Sequence, residues 1–232
     1  MNEEYARWLR RQMRRKIPAD QWSQLIPEYA PGCKRILLSN DYLETLAREN
    51  VDVITEPLER LDAAGIVTRS AAHPVDAVIF ATGFKATEFL QPMQIRGREG
   101  CLLEDVWSGR PKAYYGMAAP GFPNMFLLYG PNTNLGHNSI IFMVERQVEW
   151  IVRALGRLRG DGFRRVEVNP QASEAFDQDV RRRLESSVWS GDCSNWYKSA
   201  DGTIPNNWWG SATRFWLQLR RRGVSDLQFS RE

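Results

Sequence analysis

The sequence predicts an α/β fold, and three observations carry that prediction. Short apolar runs at 77–81 and 125–129 suit strands buried on both faces, as in a parallel sheet. Segments with helical spacing alternate with them. At 130–137 a polar turn bounded by glycine separates one predicted strand from the longest predicted helix. Strand, Gly-rich turn and helix together make an anion- or cofactor-binding arrangement, because free amides and the positive end of the helix dipole point at the turn.

In order, residues 1–16 read as a basic amphipathic helix. Pro18, Pro27 and Pro31 make an irregular connector. A short strand is predicted at 36–38. A helix follows over 41–48, capped by Ser39 or Asn40, with Asp41 and Tyr42 capping and packing it. Residues 51–55 read as a second strand, and 57–62 with 65–68 as a hairpin. The strand at 75–81 closes this first module, and Thr82 and Gly83 give it a tight exit where backbone can approach a ligand. Residues 85–121 are loop-rich. A helix is predicted from 139 to 159, a strand at 166–168 and a helix at 172–187. The remainder is an aromatic-rich tail, either a cavity wall or a clasp.

Composition narrows the function. The 232 residues suffice for one large or two small domains. A net charge of +3 is too small to indicate nucleic acid, and the arginine clusters read as solvated helix faces. No run approaches membrane-span length, and 1–16 lacks the apolar core of a signal peptide. The two histidines, His73 and His137, are too few for a typical zinc or iron site. Cys33, Cys101 and Cys193 are far apart and form no CxxC pair, which suits unpaired thiols in a reducing cytoplasm.

Three segments, in this order, carry a family resemblance. They are Pro31-Gly-Cys-Lys-Arg-Ile-Leu-Leu-Ser-Asn-Asp-Tyr42, Asp76-Ala-Val-Ile-Phe-Ala-Thr-Gly-Phe84 and Gly121-Phe-Pro-Asn-Met-Phe-Leu-Leu-Tyr-Gly-Pro-Asn-Thr-Asn-Leu-Gly-His-Asn138. Together they resemble the flavin-dependent monooxygenases that include the Baeyer–Villiger enzymes and their N-hydroxylating relatives. The resemblance covers nearly the whole chain. It implies a partial flavoprotein fold of two Rossmann-like dinucleotide-binding domains lacking its N-terminal half, since no GxGxxG fingerprint occurs. Residues 1–84 would end the NADPH domain at the Ala81-Thr82-Gly83 crossover, and 85–232 would end the FAD domain.

What the resemblance implies for chemistry is reduction of FAD by NADPH and capture of dioxygen as a C4a-peroxyflavin. One oxygen atom then enters a ketone, an amine or a sulfide. Arg35 matches the active-site arginine, and a planar permanent cation suits that task. Lys34 matches the lysine that faces the 2′-phosphate of NADPH. Thr82 and Gly83 would lie near cofactor through backbone. Asn134, Leu135 and Gly136 would place amides at the flavin pyrimidine edge. His137 reads as a hydrogen-bonded helix-start residue, and Trp208 and Trp209 as packing rather than cavity wall. The expected partners are a small-molecule substrate and a separate N-terminal half, with no metal. The chain alone is expected to bind FAD weakly or not at all. Two alternatives stand beside this: a non-catalytic remnant or interaction module on the same scaffold, and a pyridine-nucleotide–disulfide reductase fragment, which the missing CxxC weakens.

Overall fold

Where the hairpin is predicted, the chain forms an antiparallel sheet. The computed structural model describes residues 2–231, and these divide into two units: residues up to 31 with 37–84, and residues 32–36 with those from 85 onward.

In the first unit, helix α1 (Asn2–Arg14) has Glu3 and Glu4 in its first turn and Arg11 and Arg14 in its last, both signs matching the helix dipole. Arg10 reaches from α1 to the carbonyls of Pro27 (3.1 Å) and Glu28 (2.8 Å), folding the proline-rich connector and the short helix α2 (Trp22–Leu25) back onto it. Helix α3 (Tyr42–Leu46) starts where Ser39 Oγ accepts the Tyr42 amide at 3.1 Å. Strands β1 (Leu58–Asp62), β2 (Gly65–Thr68) and β3 (Ala72–Pro74) pair antiparallel in the order β1–β2–β3. The β1–β2 turn is closed by Asp62 Oδ1, which accepts the amides of Ala64 and Gly65.

The strands predicted at 36–38, 51–55 and 75–81 do not form. Ile79 is 91% and Phe84 90% exposed, so the apolar run read as a doubly buried strand lies in solvent. A buried parallel strand needs neighbours on both edges and a layer on each face. Among the described residues of this unit, only β1–β3 pair, and they pair with one another. Periodicity reported the burial these residues are suited to, not a burial this chain provides.

In the second unit, α4 (Leu103–Trp107) packs with Ala119 and Phe122 in a small apolar cluster. The main core lies among three longer helices and a two-stranded antiparallel ribbon. Helix α5 (Ile140–Gly160) is capped by Ser139, whose hydroxyl accepts the Phe142 amide at 3.2 Å. It buries Met143, Gln147, Trp150 and Ala154 on one stripe. Strand β4 (Arg165–Val168) pairs with β5 (Leu227–Ser230) from Arg165–Ser230 to Val168–Leu227. Helix α6 (Pro170–Glu185) has proline in its first turn and Asn169 as cap. Helix α7 (Ala212–Arg222), capped by Ser211, buries Ala212, Phe215 and Leu219. The tail is thus a helix and a strand of the core, not an irregular clasp. Arg110 donates from one guanidinium nitrogen to both carboxylate oxygens of the buried Asp177 at 2.9 Å. The strand expected at 125–129 is irregular; the Leu127 amide donates to the Met117 carbonyl, but no strand ladder forms.

No helix among the described residues is long and apolar enough to cross a membrane.

Candidate functional site

The turn at 130–136 is stitched to residues 204–208. The Asn132 amide donates to the Pro205 carbonyl (2.6 Å), the Asn134 amide to the Asn206 carbonyl (2.9 Å) and the Trp208 amide to the Asn134 carbonyl (2.9 Å). Side chains repeat the pattern. Asn132 Nδ2 donates to the carbonyls of Ile204 and Asn207, and Asn134 Nδ2 donates to Asn207 Oδ1 at 2.7 Å. All four asparagines, 132, 134, 206 and 207, are buried, so each bond is made away from water, where an unmade one would cost about 1–3 kcal/mol. Asparagine suits Asn132, whose φ of +58° lies in the left-handed region. Gly130 is required by close approach, since a Cβ there would strike the Gly116 carbonyl.

Tyr129 enters the turn with φ +57°. Its amide donates to Oε1 of the fully buried Gln147 at 3.1 Å, and Gln147 Nε2 donates to the Tyr115 carbonyl at 3.0 Å. The Tyr129 hydroxyl donates to Asn134 Oδ1 at 2.8 Å. A polar relay therefore runs from Tyr129 through Asn134 to Asn207. Burial pushes the Tyr129 phenol up, and the Arg35 cation pulls it partway back. Arg35 thus sits within electrostatic reach of the relay, and Tyr129 stays protonated and a donor at neutral pH.

Tyr129, Gly130, Asn134 and Asn206 form one wall of a cavity of about 370 Å³. Trp196 and Tyr197 form another, and Lys85, Phe89 and Leu90 line it too. Two buried polar atoms here have no partner among the described residues: Asn206 Oδ1 and Asn207 Nδ2. Asn206 lines the cavity, whereas Asn207 is fully buried behind it and holds the turn through its bonds to Asn132 and Asn134.

The structure brings Arg35, Asn134 and Leu135 into one unit. Arg35 and Lys34 are exposed on residues 32–36, whereas Leu135 is a core side chain. The Asn134 amide, expected to face a flavin edge, is already bonded to Asn206; what Asn134 offers is a fixed side chain. Gly136 and His137 are exposed, and the helix is capped by Ser139 rather than His137. Thr82 and Gly83 lie exposed in the first unit, and Gly83 has the φ of +83° that favours glycine. Trp208 is fully buried, stacked on Phe176 at 10° between ring planes, with Nε1 donating to Ser211. Trp209 lies between the guanidinium groups of Arg183 and Arg214, 4.1 and 4.3 Å from its ring. Both tryptophans pack.

One expectation is overturned outright. Cys33 and Cys193 form a disulfide across 160 residues, with Cα atoms 6.4 Å apart, and only Cys101 is free. Spacing in the sequence carries no trace of so distant a pair. Sequence reasoning also missed Tyr129, Gln147, Trp196, Asn206 and Asn207. The Asn206-Asn207 pair flanked by proline and tryptophan was the available signal: adjacent amides in an apolar setting need partners.

No family model matches the chain. It is 38% identical over 225 residues to an FAD-binding monooxygenase, ktnD, of Aspergillus niger, covering 95% of this chain and 37% of that protein. It is 40% identical over 205 residues to a Baeyer–Villiger monooxygenase of Pseudomonas aeruginosa, covering 87% and 39%. Among solved structures, an oxidised steroid monooxygenase bound to NADP superposes with TM-score 0.88 at 27% identity, over 100% of this chain and 46% of that one. The closed form of cyclohexanone monooxygenase gives TM-score 0.86 at 26% identity, over 100% and 45%. The chain therefore spans less than half the length of the relatives it matches. These matches agree with the three motifs, and the chain belongs to the Baeyer–Villiger type of flavin-dependent monooxygenases, as the C-terminal part of that fold.

Proposed function

We propose that this chain is the C-terminal part of an FAD- and NADPH-dependent monooxygenase, completed by an N-terminal half that carries the phosphate-binding loops. When bound, FAD reduced by NADPH supplies the activated oxygen that enters a ketone, an amine or a sulfide. What supports this reading is that Arg35 belongs to the same unit as the cavity lined by Tyr129, Asn134 and Asn206.

In this reading Arg35 is the catalytic residue. Its guanidinium is charged at every working pH and presents a planar fork of donors to negative charge developing during oxygen transfer. Tyr129 holds Asn134, and Asn134 with Leu135 and Gly136 forms the cradle for the flavin ring. Asn206, which lines the cavity, faces the polar edge of the ring. Lys34 meets the 2′-phosphate of NADPH, and Thr82 and Gly83 let backbone approach the cofactor closely. The Trp196 and Tyr197 wall keeps water from the reacting atoms. The exposed Leu38, Ile79 and Phe84 support the missing partner, because apolar runs of this kind are normally covered. A cytoplasmic setting goes with this reading.

The test is co-expression with a polypeptide bearing the two Gly-rich fingerprints of a relative, followed by flavin content and NADPH oxidation over ketone, amine and sulfide panels. The expected result is flavin retention only in the pair, and product formation that Arg35→Ala abolishes while flavin stays bound. Stoichiometric flavin on the chain alone, or unchanged product with Arg35→Ala, would refute it.

A further inference from the structure

We propose that Cys33 and Cys193 are a redox-active thiol pair whose disulfide fixes the segment bearing Arg35 and the loop bearing Trp196. The chain around Cys33 carries this inference. Residues 32–36 cluster with the second unit, although residues on both sides of them belong to the first. The covalent tie to Cys193 lies at the head of that segment, and Arg35 is two residues beyond it. Cys193 lies three residues before Trp196, which lines the cavity shared with Tyr129. One bond therefore restrains both the cation and an aromatic wall of the same site.

The two sulfurs have unequal surroundings, which leaves one of them for a reagent to reach first. Cys33 is buried to 1% exposure, while Cys193 is half-buried and open to small reagents. Asn195 Nδ2 donates to Cys33 Sγ at 3.5 Å and is itself anchored on the carbonyls of Trp189 and Cys193. A thiolate released at Cys33 meets that amide, with the cationic Lys34 and Arg35 next in sequence.

The chemistry balances with hydrogen peroxide as oxidant. The Cys193 thiolate attacks one peroxide oxygen, the O–O bond breaks, and a sulfenic acid and water form. The Cys33 thiolate displaces hydroxide from that sulfur, which leaves as a second water. Two thiols lose two electrons and two protons, and the peroxide is reduced to two waters. A small thiol reverses this by attacking Cys193, with Cys33 as leaving group, and a second thiol resolves the mixed disulfide. Cytoplasmic pairs of this kind are usually transient sensors rather than structural staples.

The consequence for Arg35 rests on the proposed function; the thiol chemistry does not, and it is read on the chain without flavin or turnover. The chain is reduced, freed of reductant, and treated with hydrogen peroxide or glutathione. Thiols are then counted in denaturant, linked peptides mapped by mass, and hydrogen exchange measured at 32–38 and 193–198. The expected result is three thiols reduced and one, Cys101, after peroxide, with Cys33 and Cys193 peptides linked. Exchange in both segments should be at least tenfold faster in the reduced chain and in Cys193→Ser. If Cys193→Ser fails to fold, the reduced wild-type chain carries the comparison. Three thiols after peroxide, linkage through Cys101, or equal exchange in both states overturns the proposal.

Discussion

Replacing Gln147 with methionine tests how the turn is held. Gln147 is fully buried and serves two backbone groups, accepting the Tyr129 amide at 3.1 Å and donating to the Tyr115 carbonyl at 3.0 Å. Methionine keeps the length and volume of the side chain, so packing changes little. Each backbone group left unpaired costs about 1–3 kcal/mol, and the added apolar burial returns about 1–2 kcal/mol. At mid-range the two groups together cost about 4 kcal/mol, so the net loss is about 2–3 kcal/mol, roughly 4–12 °C in Tm for a chain of this size. Urea unfolding followed by tryptophan fluorescence reads the loss directly, and an unchanged m-value shows that the folded state stays compact. The same variant should loosen Tyr129, whose left-handed backbone Gln147 helps hold, so Tyr129 amide exchange should rise with the loss of stability. A loss below about 1 kcal/mol would mean that water or backbone relaxation satisfies both groups, and the relay would not depend on Gln147.

Two further outcomes follow from the core. Trp208→Ala removes a fully buried ring packed on Phe176, Tyr115, Trp209 and Phe215, and should cost about 3–5 kcal/mol in urea unfolding; a loss under 2 kcal/mol would mean the aromatic cluster closes over the cavity. Burial pushes the Tyr115 phenol from the usual 10.0 up to about 12, so the folded chain keeps a proton that the unfolded chain gives up first. Stability from this group is full below pH 10 and declines as pH rises toward 12, and Tyr115→Phe should flatten that decline in unfolding measured from pH 8 to 12.

What the sequence revealed follows the reach of each interaction. Helix α5 was legible because Ser139 and the stripe from Met143 to Ala154 are local signals. The β1–β2 hairpin was legible because Asp62 and Gly65 define its turn within a few residues. The run at 77–81 misled because its burial depends on strands that 58–74 do not supply. Helix α7 has helical spacing at Ala212, Phe215 and Leu219, but tryptophan and arginine density obscured it. At the site, Arg35 and the 130–136 turn were readable from motif resemblance. Their surroundings were not, because Asn207 and Cys193 lie 73 and 160 residues from their partners.

That distance sets an order of events during synthesis. The Asn134 side chain finds Asn207 73 residues later, which at ordinary translation speed is roughly 4–15 s after Asn134 is made. Until then Asn132 and Asn134 have no Ile204–Trp208 segment to bond, so the cradle cannot close on a nascent chain. A polypeptide that stops before residue 204 keeps α5 and α6 but lacks the far side of the turn. The cradle therefore closes only once residues 204–208 have been made and have cleared the ribosome, well after the turn itself has emerged.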